Sequence, residues 1–380
     1  MVSAFEFATA ARVVFGTGTA SQVAAVAASL GSRALVVTGS DPRRAALAGA
    51  RVDGAAWTVR GEPTIADITD GVAFARAQAC DVVVAIGGGS ALDAGKAIAA
   101  LLTNDGEALD YLEVVGRGRT LARAAAPVVA VPTTAGTGSE VTRNAVLTAE
   151  GVKVSLRSPG MLPRVAIVDP LLTLSLSPTI TADCGLDALT QCLEPLVCNK
   201  ANPLTDALAR EGLLRAVRGL RRAVNNGDDV AARTDMCVAS LCGGLALANA
   251  GLGAVHGFAG PIGGMFIHAP HGAVCARLLP EVMVANVAAL RARDASGEGL
   301  ARYEEVARIL TGHPRASIAD GVAWVRDVVA DLGVRPLARH GVTAAHLPEL
   351  VSRGQRASSM KGNPVTLTAD ELLGVLTAAL

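Results

Sequence analysis

Residues 81–102 read DVVVAIGGGSALDAGKAIAALL, and the order of residue types within them decides the fold. Asp81–Gly88 is a short, β-branched, uncharged run after its first residue, the pattern of a strand buried on both faces. It passes directly into Gly87-Gly88-Gly89-Ser90 and then into the Ala-rich helical pattern Ala91–Leu102. Three glycines let a backbone approach a ligand closely, and amides at a helix start point at an anion, so a phosphate or pyrophosphate belongs at this turn. A plain structural turn would use the same residues. The turn is not GxGxxG, and it follows the third strand of this reading rather than the first.

Working outward, Arg33–Gly39, Trp57–Arg60 and Val128–Thr134 also read as strands, and helical patterns near Asp41–Gly49 and Ile65–Ala79 lie between. Such alternation implies parallel strands with right-handed crossovers and a ligand beyond their carboxyl ends. A second polar segment, VVAVPTTAGTGSEVTRN at 128–144, offers hydroxyls from Thr133, Thr134, Thr137 and Ser139 while Gly136 and Gly138 keep the backbone open. It suits contacts to phosphate and ribose oxygens; a Thr-capped loop is the alternative.

Composition narrows the class. At 380 residues the chain exceeds what one core usually serves, which favours two domains. Lys+Arg and Asp+Glu both total 34, so no long-range field draws nucleic acid or an anionic membrane, and a small-molecule partner is the expectation. Hydrophobic residues make up 51% but aromatics only 3%, so the core must be Ala, Val and Leu in closely approaching elements. The uncharged stretch Leu241–Ile267 is long enough to span a membrane. Its glycines, Pro261, Asn249 and His256 instead give a buried helix running into a tight loop. The start of the chain lacks a basic segment followed by an apolar run, so no signal peptide is expected. Seven cysteines without a CxxC pair fit buried, reduced thiols in the cytoplasm.

GGGSALDAGK (87–96), PTTAGTGSEVT (132–142), VAIVDPLLTLSL (165–176), GLDALT (185–190) and HGF…APHG (256–258, 269–272) occur in one order. Together they resemble the iron-containing (group III) alcohol dehydrogenases, and the resemblance runs from Val13–Gly18 to Lys361-Gly362-Asn363-Pro364. It implies an α/β NAD(P)-binding domain with a parallel sheet over residues 1–177 and an all-α metal and substrate domain over 178–380, the dehydroquinate synthase-like architecture. It further implies NAD(P)H in the cleft between them, a divalent iron or zinc ion on the helical side, and a cytoplasmic homodimer. On that pattern Gly87, Gly88, Gly89, Ser90 and Asp93 line the pyrophosphate and nicotinamide. Thr133, Thr134 and Thr137 hold phosphate and ribose, Lys153 faces ribose, Asn144 lies near the substrate, and Lys361 is a possible anion contact.

Ser177-Pro178 signals a helix start, and Asp187 and Gln191, four residues apart, then share one helix face. The family pattern binds metal through Asp187, His256 and His271 and through a histidine where this chain has Gln191. An amide oxygen is a poorer ligand for iron or zinc than imidazole. Gly260 stands where some members have another histidine, and the His256–His271 spacing of fifteen is one longer than the pattern, adding His268 to the loop. Weakly held metal is therefore expected, with His268 as the compensating group and Cys184 as a remote sulfur donor. His313, His340 and His346 read as surface residues.

The implied reaction is hydride transfer between NAD(P)H and an aldehyde or ketone, the metal polarising the carbonyl. Two alternatives stand: a metal-independent reductase of a carboxylate- or phosphonate-bearing carbonyl, in which Gln191, His256, His268 or His271 donate hydrogen bonds, and a non-catalytic cofactor-binding homologue. At the end of the first strand, Thr38-Gly39-Ser40 precedes Asp41, Arg43 and Arg44, whereas many NAD-preferring relatives carry Asp at Gly39. NADPH or dual use follows, with Asp41 as the counter-argument.

Overall fold

The computed structural model describes residues 4–41, 52–149 and 151–380. The chain divides into two compact units, Ala8–Leu176 and Ser177–Leu380, the latter joined by the start of the chain through Phe7.

The first unit is a parallel sheet of six strands in the order β1-β8-β5-β4-β2-β3. These are β1 (Arg12–Phe15), β2 (Ala34–Thr38), β3 (Gly54–Thr58), β4 (Val82–Gly87), β5 (Val128–Pro132) and β8 (Val165–Val168). A hairpin of β6 (Asn144–Ala149) and β7 (Val152–Arg157) pairs separately. Every residue of β4 and β5 is buried, and alternate side chains sort to opposite faces. Val83 and Ala85 join Ile68, Val72, Leu92 and Ile98 of helices α2 (Ile65–Ala77) and α3 (Gly89–Thr103). Val82, Val84 and Ile86 join Val23, Val26 and Ala27, the buried face of α1 (Val23–Leu30). The scarcity of aromatics is resolved by close approach: a Cβ on Gly95 of α3 would lie 2.6 Å from the Ala85 side chain.

The glycine-rich turn follows the fourth strand in the chain, not the third, because Arg12–Phe15 also pairs into the sheet, beside β8. That strand, β8 and the hairpin were not legible from periodicity; β1 is short and half-exposed. The helical pattern expected near Asp41–Gly49 lies, after Asp41, outside the described residues, as do Arg43 and Arg44.

The second unit is helical. After the short α4 (Ala108–Tyr111) of the first unit come α5 (Pro178–Val197), α6 (Pro203–Asn225), α7 (Val230–Ala250), α8 (Ala254–Met265), α9 (His271–Arg293), α10 (Glu298–Thr311), α11 (Ile318–Asp331), α12 (Leu347–Arg356) and α13 (Ala369–Ala379). Ser177 caps α5 by accepting from the Ile180 amide at 3.3 Å, with Pro178 in its first turn. The uncharged stretch Leu241–Ile267 is two helices rather than one: Gly251, at φ +101°, ends α7, and α8 restarts three residues later. α7 and α9 are long and apolar enough to cross a membrane, yet most of each is buried within the protein.

Candidate active site

In the first unit the registers align Thr38 with Ile86 and Gly87 with Pro132, so β2, β4 and β5 end together. The chain leaves β2 toward β3 at one edge and leaves β4 toward β5 on the other side. Such a reversal opens a crevice at the strand ends. The glycines at this crevice are required by contact. A Cβ on Gly87 would meet Ala91 at 2.6 Å and the Gly39 amide at 3.3 Å, one on Gly88 would meet Thr134 at 3.3 Å, and one on Gly89 would meet Thr137 at 2.8 Å. Gly39, Gly87–Gly89, Thr134 and Thr137 are thus one constellation. No side chain caps the first turn of α3, and while the Ala91 and Leu92 amides return to the Gly88 carbonyl, the leading amides of Gly89 and Ser90 suit an anion.

Asp93 is committed to structure within the same unit. Its carboxylate accepts from the Ser139 hydroxyl at 2.5 Å and the Val146 amide at 2.9 Å, and Lys96 lies 3.1 Å away. The fully buried Lys96 ammonium also donates to the Ser139 carbonyl and to Thr142. This network ties the 133–142 loop to α3, and the buried Glu140 completes it; burial pushes its carboxyl up to about 7 against its own backbone hydrogen bond and the attraction of Lys96. Thr133 is buried, Ser90 is half-buried and Ser40 is exposed. Lys153 is ion-paired with Glu62 at 2.9 Å, and Asn144 begins β6, half-buried.

In the helical unit Asp187, His256 and His271 converge from α5, α8 and the first residue of α9, and Cys275 joins them one turn along α9. One donor atom from each of these four side chains lies within 4.8 Å of all the others. His256 Nε2 is 3.3 Å and His271 Nε2 3.8 Å from Asp187 Oδ1, while Cys275 Sγ is 3.8 Å from His256 Nε2 and 3.7 Å from His271 Nε2. Burial opposes charge on every member. The facing imidazoles nevertheless hold Asp187 and Cys275 below their ordinary ranges, and the same contacts with Cys275 and Asp187 raise both histidines.

Two side chains hold this group in place. Glu194, two turns along α5 from Asp187, accepts from His256 Nδ1 at 2.6 Å and from the Val255 amide at 2.8 Å. A carboxylate only accepts, so Nδ1 carries the proton and Nε2 is left for a ligand, the carboxylate–histidine arrangement of metal sites. Gln191 donates its amide to Asp187 Oδ2 at 2.9 Å, while its Oε1 is buried without a partner. The amide therefore orients the carboxylate, and its oxygen is an orphaned buried acceptor beside the donor set. Asn363 anchors the start of α8 by accepting from the Ala254 amide at 3.1 Å and exchanging hydrogen bonds with Asn286 of α9.

Other sequence candidates lie apart from these four. His268 is exposed in the turn before α9, where the Ala269 amide closes back on Phe266. Lys361 is exposed, and Cys184 is half-buried. His313 is exposed, but His340 and His346 are half-buried, the latter edge-on to Phe266 with ring centroids 5.0 Å apart. Sequence reasoning missed Glu194, Asn363 and Cys275. Composition alone reads Cys275 as one more buried, reduced thiol, although its place four residues after His271 puts both on one helix face. The donor chemistry, the proton assigned to Nδ1 and the orphaned Gln191 oxygen fit a divalent metal.

The family described as iron-containing alcohol dehydrogenase matches residues 10–170, and the Fe-containing alcohol dehydrogenase family, C-terminal, matches residues 181–380. The chain belongs to the iron-containing alcohol dehydrogenase family. It is 37% identical to the probable alcohol dehydrogenase EutG of Salmonella typhimurium strain LT2 over 84% of this chain and 78% of that protein. A solved 1,3-propanediol oxidoreductase superposes with TM-score 0.89 at 31% identity over 100% of both chains. Sulfoacetaldehyde reductase from Bifidobacterium kashiwanohense, solved with NAD+, superposes with TM-score 0.85 at 28% identity over 99% of both.

Proposed function

We propose that this NAD(P)-dependent oxidoreductase interconverts a small alcohol and its aldehyde or ketone, with a divalent metal held by the group around Asp187, His256 and His271. The observation that carries the reading is the convergence of these three residues from separate helices on one point. When bound, the ion supplies polarisation of the carbonyl oxygen and the nicotinamide supplies the hydride.

The residues of the chain do the positioning. Gly88 and Gly89 admit the cofactor phosphates to the backbone and to the uncapped amides of α3. The Lys96–Asp93–Ser139 network fixes the threonine loop beside them. Glu194 sets the His256 tautomer, and Gln191 sets the Asp187 carboxylate. Gly39 leaves open space, with nothing among the described residues within 4 Å of where its Cβ would be, which supports acceptance of a 2′-phosphate and hence NADPH alongside NADH. A small carbonyl or alcohol is the partner; the cytoplasmic homodimer is proposed from the family resemblance.

The test is nicotinamide absorbance with a panel of aldehydes and 2-oxo acids, using NADH and NADPH, with and without a chelator. Turnover that the chelator and Asp187→Asn both abolish is expected. Turnover indifferent to both would establish the metal-independent reductase, and no turnover with any substrate the non-catalytic homologue.

A further inference from the structure

The donor group contains a sulfur, whereas the sequence puts Gln191 at the fourth ligand position with His268 as the compensating group. Gln191 turns its NH2 onto Asp187, which commits that end of the amide to the carboxylate, and its other end is an uncharged oxygen, a weak donor for iron or zinc. Cys275 is among the four side chains that cluster. Two other buried thiols behave differently: Cys192 donates to the Ala239 carbonyl and Cys198 to the Ala250 carbonyl, as small hydrophobes with a weak donor do. The polar atoms facing Cys275 Sγ are the Nε2 atoms of two histidines that both also face one carboxylate.

The distances form a recognisable figure. Donors about 2.0–2.1 Å (N, O) and 2.3 Å (S) from one ion in tetrahedral array stand roughly 3.3–3.4 Å apart for N and O pairs and about 3.6 Å apart for S and N. Four of the six edges are 3.3 and 3.8 Å for the two histidines to Asp187, and 3.8 and 3.7 Å for Cys275 to the histidines. Those four are within about half an ångström of the figure before any ion draws the donors in, and the two others, His256 to His271 and Asp187 to Cys275, are within 4.8 Å. Cys275 and His271 share a rigid helix face, so the pair arrives together rather than by adjustment of a loop.

We propose that Cys275 is the fourth metal donor of this enzyme, giving an Asp187–His256–His271–Cys275 site that selects zinc over ferrous iron. The inference rests on the metal reading above. It replaces His268 as the group that compensates for Gln191, and it follows from ligand softness: a thiolate favours zinc, whereas an all-nitrogen and oxygen set discriminates less. Metal retention is then tight and stoichiometric, despite the missing imidazole.

The experiment uses the whole protein with the metal ion alone. Purified protein is stripped, then titrated with Zn2+, with Fe2+ under anaerobic conditions, and with Co2+, each against a competing chelator. The cobalt form is expected to show a near-ultraviolet sulfur-to-metal charge-transfer band, and zinc-edge X-ray absorption of the unmodified protein to show one sulfur at about 2.3 Å. In Cys275→Ser the band disappears and zinc affinity falls by at least ~10–100-fold, with a smaller loss for iron. Tight zinc binding without the band and with only nitrogen and oxygen neighbours would overturn the Cys275 assignment while leaving the metal reading intact. Absence of zinc, iron or cobalt binding, or binding unaffected by His256→Ala and Asp187→Asn, would overturn both. The absorption measurement needs no variant, so misfolding of Cys275→Ser cannot blunt the test.

Discussion

Gly272→Ala probes how the two helices that carry the donor group are held. Gly272 follows His271 at the start of α9, and a Cβ there would lie 1.9 Å from the Asp183 carbonyl oxygen and 2.5 Å from its carbon. Both are backbone atoms of α5, one turn before Asp187, so no side-chain rotation relieves the clash. To reach even a 3.0 Å contact the first turn of α9 must retreat by about 1.1 Å. His271 Nε2 already stands 3.8 Å from Asp187 Oδ1, a gap an ion can close to the roughly 3.3–3.4 Å that two donors span, and a retreat of about 1 Å adds to that gap more than the ion can draw in. Overpacking of this kind costs about 1–3 kcal/mol. A donor misplaced by about 1 Å costs on the order of 100-fold in rate, and metal affinity is expected to fall by at least ~10-fold. Gly260→Ala is the matched control: it lies inside α8 with nothing among the described residues within 4 Å of its Cβ, so it should gain about 0.8–1 kcal/mol of helix propensity and leave zinc affinity unchanged. Thermal denaturation of the metal-free proteins and zinc titration against a chelator read both effects. Wild-type affinity and melting temperature in Gly272→Ala would refute the argument that backbone contact between α9 and α5 sets the donor geometry.

Glu140 should make stability fall with rising pH. Its carboxyl is raised to about 7 from 4.5, so below about pH 4.5 it is protonated folded or unfolded and contributes nothing. Above that the unfolded chain ionises first, and stability is lost up to about pH 7 by roughly 3 kcal/mol. Urea denaturation of Glu140→Gln should lack this component, and an unchanged pH dependence in the variant counts against it. Gly39→Asp, placed in open space, should shift the ratio of kcat/KM from NADPH toward NADH by roughly tenfold, the ~1.4 kcal/mol that a carboxylate facing a 2′-phosphate costs at a screened surface. Equal ratios before and after would place the adenosine ribose elsewhere. Gln191→Leu should weaken zinc binding ~10–100-fold by freeing the Asp187 carboxylate. The metal-free melting temperature should fall only modestly, since the hydrogen bond lost to the buried Asp187 carboxylate is partly offset by removal of a buried unpartnered oxygen; a variant that unfolds instead would show that Gln191 is structural.

The sequence by itself determined whatever depends on local periodicity and turn chemistry. Val82–Gly87 is apolar on both faces and runs into glycine, which is sufficient to declare a buried parallel strand entering a helix, and Ser177-Pro178 announced α5 because capping is satisfied within four residues. The i, i+4 spacing likewise placed Asp187 and Gln191 on one face before any fold was known. What tertiary structure alone decided is which distant side chains meet, and in what orientation. β1 and β8 are too short and too ordinary to be read without each other, since a strand of four residues owes its existence to its neighbour. The role of Gln191 turned on which end of its amide faces Asp187, and that of Cys275 on His256 and Asp187 arriving from other parts of the chain. A cysteine in an apolar segment is read as an inert thiol because sequence reports only its neighbours along the chain. Packing of α5, α8 and α9 supplies the neighbours that give its sulfur a different chemistry, and those contacts lie 19 and 88 residues away for His256 and Asp187.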